Sequence, residues 1–493
     1  MSNLYRRAIE FLPRLWSNWI TLLGTMIASS SGVTLLVALA IELTSAGLNN
    51  YAAAILFLVV PGIFVLGLLL IPLGFLRERH RARTSGAPLE TDTVRLAFER
   101  AMQSQTVRRR VAFVVLMTVL NVFIVTTVTY RAVAFMETPQ FCGVTCHQVM
   151  QPEYDAYLQS PHSRVACVEC HIGGGASSAV SAKLSGLRQV WGVATGTFHR
   201  PIGTPVHALR PAIETCGRCH EPERQSGNRV ALRVHFKSDE ANTPQVTAMM
   251  LHLGGLDART GTWSGIHFHA STRYQVRYEV LDEKRFKVGK IQKLDVLDGG
   301  KVVEEWLPDQ PAAGAVVESR TMDCIDCHNR TTHIYDDTPE SGVIRAFREG
   351  KLDRKVPWLY DTSLKVLTGA TPPREQASEY FRQALETRYA RDHAAQKPPR
   401  DKLDKAAEAL TGIYHRNVYP GMKLSWGNYP TLIGHGGADP GAFKGQCFRC
   451  HSGDHKTAAG VELSGKCELC HEVMAKDELP EDLPDELRPL VPL

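Results

Sequence analysis

The stretch Cys142-Gly-Val-Thr-Cys146-His147, followed shortly by Cys167-Val-Glu-Cys170-His171, decides the fold. Each unit sets two thiols about one helical turn apart and puts an imidazole on the next residue. The unit recurs at Cys216-Gly-Arg-Cys219-His220, Cys324-Ile-Asp-Cys327-His328, Cys447-Phe-Arg-Cys450-His451 and Cys467-Glu-Leu-Cys470-His471. All twelve cysteines of the chain belong to these six pairs, and none is left over. The first pair has one more intervening residue than the other five.

Paired Cys-x-x-Cys units also build structural zinc sites and redox-active dithiols. Neither chemistry asks for a His after every second cysteine, and a disulfide framework would not supply one each time. Attachment of c-type haem does: two thiols add to the two vinyl groups of one porphyrin, and the adjacent His reaches the iron. The pattern predicts six covalently bound c-type haems, with His147, His171, His220, His328, His451 and His471 as proximal iron ligands.

A low-spin electron-transfer haem takes a second axial ligand, usually His or Met. The chain has nineteen histidines, of which six are proximal. His162, His333, His435 and His455 stand near motifs and are the first choices as distal ligands. His199, His207, His235, His252, His267 and His269 are further choices, whereas His393 and His415 read as surface residues. Met150, three residues past His147, suits the sixth position of the first iron; a lone Met is equally often core filler.

Outward from the first motif, three apolar runs carry no charge: Ile20 to Ile41, Ala52 to Leu76 and Val111 to Tyr130. A helix of about 20 residues crosses a hydrocarbon core of roughly 30 Å, whereas a soluble core helix would show a polar stripe. Residues 77 to 110 carry nine arginines, and Leu43 to Tyr51 carries no charge. The positive-inside rule then places the N-terminus and the Arg-rich loop, with His80, in the cytoplasm. Everything after the third run lies outside, where thioether attachment of haem takes place. No small-residue cleavage site follows the first run, so it reads as an anchor.

The expected fold is membrane-anchored and mainly α, with three N-terminal transmembrane helices and then a haem-packed multihaem cytochrome c domain with a small β insertion. Residues 1–19 form a cytoplasmic N-terminus, 20–76 a two-helix transmembrane hairpin, 77–110 the cytoplasmic loop and 111–136 the third anchor. Haems one to three fall in 137–220 and haems four to six in 321–475. Between them, 221–320 is β-rich: Tyr274, Val276, Tyr278 and Val280 alternate with polar residues, Phe286 and Val288 continue the period, and Asp298-Gly299-Gly300 marks a turn. From Gly342 to Tyr414 helical spacing, broken at Pro372-Pro373 and Pro398-Pro399, predicts helices packed around haem edges. Residues 476–493 read as an acidic, Pro-rich, poorly ordered tail. The formal charge of +5 owes much to the Arg-rich loop, and haem propionates would offset it, so nucleic-acid binding is excluded.

Around the first motifs the chain resembles the NapC/NirT family of membrane-anchored quinol dehydrogenases. The resemblance is carried by Phe141-Cys142, Met150-Gln151-Pro152, Tyr157, Ser160-Pro161-His162 and Cys167-Val-Glu-Cys170-His171-Ile172-Gly173. Met322-Asp323 with Cys324 to Arg330, and Trp426 to His455, are similar to larger members with extra haems, the inner-membrane cytochromes of extracellular electron transfer. The resemblance implies a quinol site beside the first haem with a Lys, matched by Lys183, and a carboxylate, whose aligned position falls near the neutral Gln189. Glu42, at the outer end of the first span, is a substitute proton acceptor. The implied function is a quinol:cytochrome c oxidoreductase of the bacterial cytoplasmic (inner) membrane, with its haem domain in the periplasm. It would draw on menaquinol from the membrane quinone pool, amid membrane lipid, and pass electrons to periplasmic c-type cytochromes or a terminal reductase in anaerobic or extracellular respiration. Two other readings stay open: a multihaem reductase with a substrate-binding high-spin haem, and a wiring subunit of a larger membrane redox complex. Homo- or hetero-oligomerisation in the membrane is open as well.

Overall fold

The computed structural model describes residues 19–43, 59–84, 103, 105–145, 147–173, 176–203, 211–281, 291–310, 316–434 and 446–492. The chain divides into two compact units, Met1–His147 and Gln148–Leu493.

Among its described residues the first unit has three helices, α1 (Trp19–Leu43), α2 (Val60–Thr84) and α3 (Gln105–Met136). Small residues let α1 and α2 approach closely: a Cβ on Gly67 would come within 2.6 Å of the Ala28 nitrogen, and one on Gly24 within 2.8 Å of the Gly67 oxygen. Where the surroundings are as apolar as leucine, such backbone proximity supplies the van der Waals contact that holds helices together. Ala28, Leu35, Ala38, Phe64, Ile124 and Val128 are buried among the three helices. Leu66, Leu69, Leu73, Val119, Val122 and Phe123 face outward. Trp19–Ala38 and Val119–Met136 are each long and apolar enough to cross a membrane. The described apolar part of α2, Val60–Gly74, is shorter, and residues 52–58 of the expected second span lie outside the described residues. Both ends of the Arg-rich segment are helical, since α2 runs through Arg83 and α3 takes in Arg108 to Arg110.

The second unit begins with α4 (His147–Leu158), α5 (Cys167–His171), α6 (Ala176–Thr195) and α7 (Ala212–Thr215). Strands β1 (Arg229–Phe236), β2 (Pro244–Leu251), β3 (Gly255–Asp257), β4 (Thr262–Ser264), β5 (Tyr274–Leu281), β6 (Ile291–Asp298), β7 (Lys301–Pro308) and β8 (Val316–Thr321) follow. Two short strands near the C-terminus, β9 (His455–Lys456) and β10 (His471–Glu478), complete the sheets, which are ordered β1-β2-β10, β3-β4 and β8-β5-β6-β7-β9. The alternation read from Tyr274 onward is β5, with Val276 and Tyr278 buried. Gly299 and Gly300, at φ of 56° and 82°, join β6 to β7 in a two-residue turn that pairs Asp298 with Lys301. Left-handed backbone at both turn positions suits the right-handed twist of a hairpin, and glycine adopts it without steric cost. Phe286 and Val288 lie outside the described residues.

Beyond α8 (Cys324–Cys327), the helices α9 (Pro339–Arg348), α10 (Leu359–Thr368), α11 (Ala377–Asp392) and α12 (Arg400–Asn417) carry no Cys-pair motif. The two Pro-Pro pairs fall in the breaks on either side of α11, because proline lacks the N–H and crowds the preceding turn. These helices pack on one another and on the first sheet through an apolar core. Phe347, Leu359, Phe381, Leu385, Leu410 and Tyr414 are buried with Val234, Phe236 and Val246 of the first sheet. Beside them Arg345 grips the buried Asp336 through two hydrogen bonds of 2.9 and 2.8 Å, and Asn417 adds a third at 2.8 Å. Burial raises the Asp336 carboxyl, but Arg345 and Asn417 outweigh it and hold the pKa below the ordinary aspartate value.

The reading of 476–493 as a poorly ordered tail is corrected. Leu483 and Leu487 are buried in that core, and Arg488 Nε donates to the Leu483 carbonyl at 2.8 Å. Two leucines four residues apart anchor a segment whose acidic composition reads as a solvated tail. Leu487→Ala should cost about 2–5 kcal/mol, seen as a lower thermal midpoint; a loss under about 0.5 kcal/mol would match a surface position and contradict the assignment.

Candidate haem centres

Every described motif is a single tight turn, so the two thiols and the imidazole are fixed relative to one another by the backbone. The amides of His220, His328 and His451 donate to the carbonyls of Cys216, Cys324 and Cys447, each at 2.8 Å. α5 is the second motif itself, and the sixth closes with the Cys470 amide on the Cys467 carbonyl at 3.1 Å. The extra residue of the first motif goes into a wider π-type turn over Phe141–Thr145. Cys146 lies outside the described residues.

Residues inside the turns link neighbouring motifs. Arg218 of the third bonds Glu169 of the second at 3.2 Å. That pair is exposed, so it contributes orientation more than stability. Asp326 of the fourth is buried and accepts from the Tyr278 hydroxyl at 2.7 Å, while Arg449 of the fifth stands 5.7 Å from the Tyr278 ring centre. Burial, then Asp326, pushes the Tyr278 hydroxyl far above the ordinary tyrosine range, so it stays a donor at any physiological pH. Asp323 caps the fourth turn through the Ile325 amide and also accepts from Ala212 at the start of α7, just ahead of the third motif.

The thiols follow one another in chain order. Burial raises the Cys170 thiol first, and Cys216 of the next motif adds to it. Cys324 is raised by burial and then by Cys216. Cys327 is pushed up to about 12 by burial and then by Cys447, and Cys470 is raised by burial and then by Cys447. Thus motifs two to six form one electrostatically connected series.

Three proximal imidazoles face another imidazole. Ring centres are 6.3 Å apart for His171 and His333, 5.9 Å for His220 and His162, and 6.1 Å for His451 and His269. Two imidazoles on opposite sides of one metal, with metal–nitrogen distances of about 2.0–2.1 Å, place their ring centres roughly 6.3 Å apart. For His328, burial and then the nearby His267 lower the pKa. Burial, then the partner His333, likewise lowers His171, which favours the neutral form that binds a metal. Their Nδ1 atoms are occupied: His162 meets the Thr331 carbonyl at 3.2 Å, His267 that of Gln225 at 3.2 Å, His269 that of Ile266 at 2.9 Å and His333 that of Glu153 at 2.9 Å. Such contacts leave Nε2 for a metal and fix the tautomer.

This arrangement suits haem iron and does not suit zinc. Iron in a porphyrin needs two protein donors, whereas structural zinc needs four. Among the described residues no three His, Cys, Asp or Glu side chains converge to hold a metal ion.

The other expected site residues lie as follows. His455, a first choice as distal ligand, is 3% exposed with Nε2 3.3 Å from the Ile291 carbonyl, and the ring that faces His451 is that of His269. His435 and His207 lie outside the described residues, His199 and His235 are exposed, and the His252 amide bonds Cys470 of the sixth motif at 2.8 Å. His393 and His415, read as surface, are half-buried: His393 stacks on Trp358 at 4.5 Å and His415 Nε2 meets the Arg374 carbonyl at 2.9 Å. Met150 is half-buried on α4, one turn after His147, and Glu42 closes α1. Lys183 and the exposed Gln189 both lie on α6, about 120° apart around its axis, so they do not share a face.

Residues 104–204 match the NapC/NirT cytochrome c family, N-terminal region. Over 473 residues, 95% of this chain and 90% of the relative, the sequence is 36% identical to the cytochrome c-type protein ImcH of Geobacter sulfurreducens. The chain belongs to the NapC/NirT cytochrome c family. A second relative, the cytochrome c-type protein NrfH of Wolinella succinogenes, is 27% identical over 114 residues, 22% of this chain and 63% of that protein. No solved structure matches the chain. This cytochrome therefore carries covalently bound c-type haems and serves electron transport, and the zinc and dithiol readings of its cysteine pairs fall away.

His269→Ala should convert one haem from low-spin to high-spin, visible in the electron paramagnetic resonance spectrum of the oxidised protein. An unchanged low-spin count would remove His269 from the iron.

Proposed function

We propose that this cytochrome oxidises menaquinol and passes the electrons along six covalently attached haems to periplasmic c-type cytochromes or a terminal reductase. Haem iron supplies one-electron redox chemistry when bound. The observation that carries the reading is that the motif imidazoles His171, His220 and His451 each face a second imidazole, with ring centres 6.3, 5.9 and 6.1 Å apart. A reductase would need one haem with an open face, whereas the imidazoles gathered near the second to fifth motifs favour conduction. His171 with His333, His220 with His162, His328 with His267, and His451 with His269 would each hold one haem iron, and Met150 would hold the first.

The donor comes from the family resemblance. Quinol oxidation releases two electrons and two protons, so it needs a proton-accepting group next to a one-electron acceptor at the lipid boundary. Lys183 orients the quinol oxygen and relays its proton; Gln189, being neutral, does not take it. Three spans, with the Arg-rich loop in the cytoplasm, hold the haem region in the periplasm. The uncharged, outward-facing leucines and valines of the N-terminal helices support that anchoring.

Lys183→Ala should slow reduction of the purified cytochrome by a menaquinol analogue at least tenfold while leaving reduction by dithionite unchanged. Equal quinol kinetics in variant and wild type would remove Lys183 from the site.

A further inference from the structure

One of the facing imidazoles differs from the others in what holds its Nδ1. His162, His267 and His269 turn Nδ1 to backbone carbonyls alone, and His451 does the same with the Ser464 carbonyl at 3.0 Å. A neutral acceptor of this kind fixes the tautomer. His333 Nδ1 aims at the Glu153 carbonyl, but it also lies 3.1 Å from Oε2 of the same residue. That second approach is electrostatic, because the N–H points at the backbone oxygen.

Glu153 is on α4, and its side chain is 12% exposed. Oε2 is buried and has no aligned hydrogen bond among the described residues. The nearby Tyr335 hydroxyl is also buried without a partner there. Burial and then Glu153 raise its pKa. Arg330 is the cation on this side, with its guanidinium 5.8 Å from the Tyr335 ring centre and 4.3 Å from that of Tyr429. The Oε2 charge thus has no aligned donor among the described residues, and His333 Nδ1 lies 3.1 Å from it.

We propose that Glu153 is a positioning residue that sets a haem potential. Its carboxylate, beside Nδ1 of His333, makes this imidazole a stronger donor than its counterparts and gives the iron held by His171 the lowest potential among the bis-histidine sites. A carboxylate behind a ligating His raises ligand basicity, and negative charge near an iron favours its oxidised form. The inference rests on His333 being the distal ligand. It adds a difference among sites that the attachment motifs, alike in sequence, do not carry.

The test uses full-length, haem-loaded protein in detergent and an optical redox titration. Glu153→Gln keeps the shape and removes the charge, and it should favour the reduced form of one haem about tenfold, a shift of about 59 mV for a one-electron couple, with the other haems unmoved. Glu153→Asp, which keeps the charge at greater distance, should move the same haem less in the same direction, and it reads the effect even if the Gln variant fails to mature. Titration curves that superpose on the wild type overturn the proposal. His333→Ala separates the two levels of inference. If it leaves every low-spin signal in place, the ligand assignment falls and the role of Glu153 with it. If a low-spin signal is lost while Glu153→Gln moves no potential, only the role of Glu153 falls.

Discussion

The structure depends on one covalent constraint: two thiols and an imidazole must sit on a single turn to meet one porphyrin. That geometry is local, set by the bond from the His amide to the first Cys carbonyl. Chain between the turns can therefore vary in length and character, as the long insertion between the third and fourth motifs does. What the turns do not supply is a second imidazole opposite the first.

The β insertion and the segment after the fourth motif each bring an imidazole to face one of the turns. The short 3-10 turn Ile266–Ala270 carries two histidines two residues apart, and they serve different motifs: His269 faces His451, and His267 influences His328. One rigid turn between β4 and β5 thus addresses two neighbouring sites. In the same way the chain after the fourth motif sends His333 back to the second motif, and the segment before the second motif sends His162 to the third. Each assigned pair ties distant parts of the chain together, so loading the motifs and folding the unit are coupled.

Much of this was legible in sequence because its physics is local. The attachment turns, the three apolar runs, the β5 alternation and the Gly299-Gly300 hairpin all rest on spacing or on a backbone requirement of particular residues. The facing imidazoles were less legible, because tertiary packing and not distance from a motif decides which rings meet. His455, four residues past His451, has the right spacing but lies against Ile291, whereas His269, some 180 positions upstream, faces the ring. No spacing rule reaches across an insertion whose strands must pair first. The C-terminal stretch misled for a different reason: its charged, Pro-punctuated sequence hides two apolar positions, and Leu483 and Leu487 find a core only once β10 has joined the first sheet.

Everything else follows from thioether attachment at all six turns, and the intact mass of the protein matured in a host that attaches c-type haem measures this most directly. The account predicts a chain heavier by six haem groups, unchanged after acid–acetone extraction, with no thiol left to alkylate. A mass increase of fewer haems with free thiols at the remaining motifs, or bound zinc in their place, would contradict it.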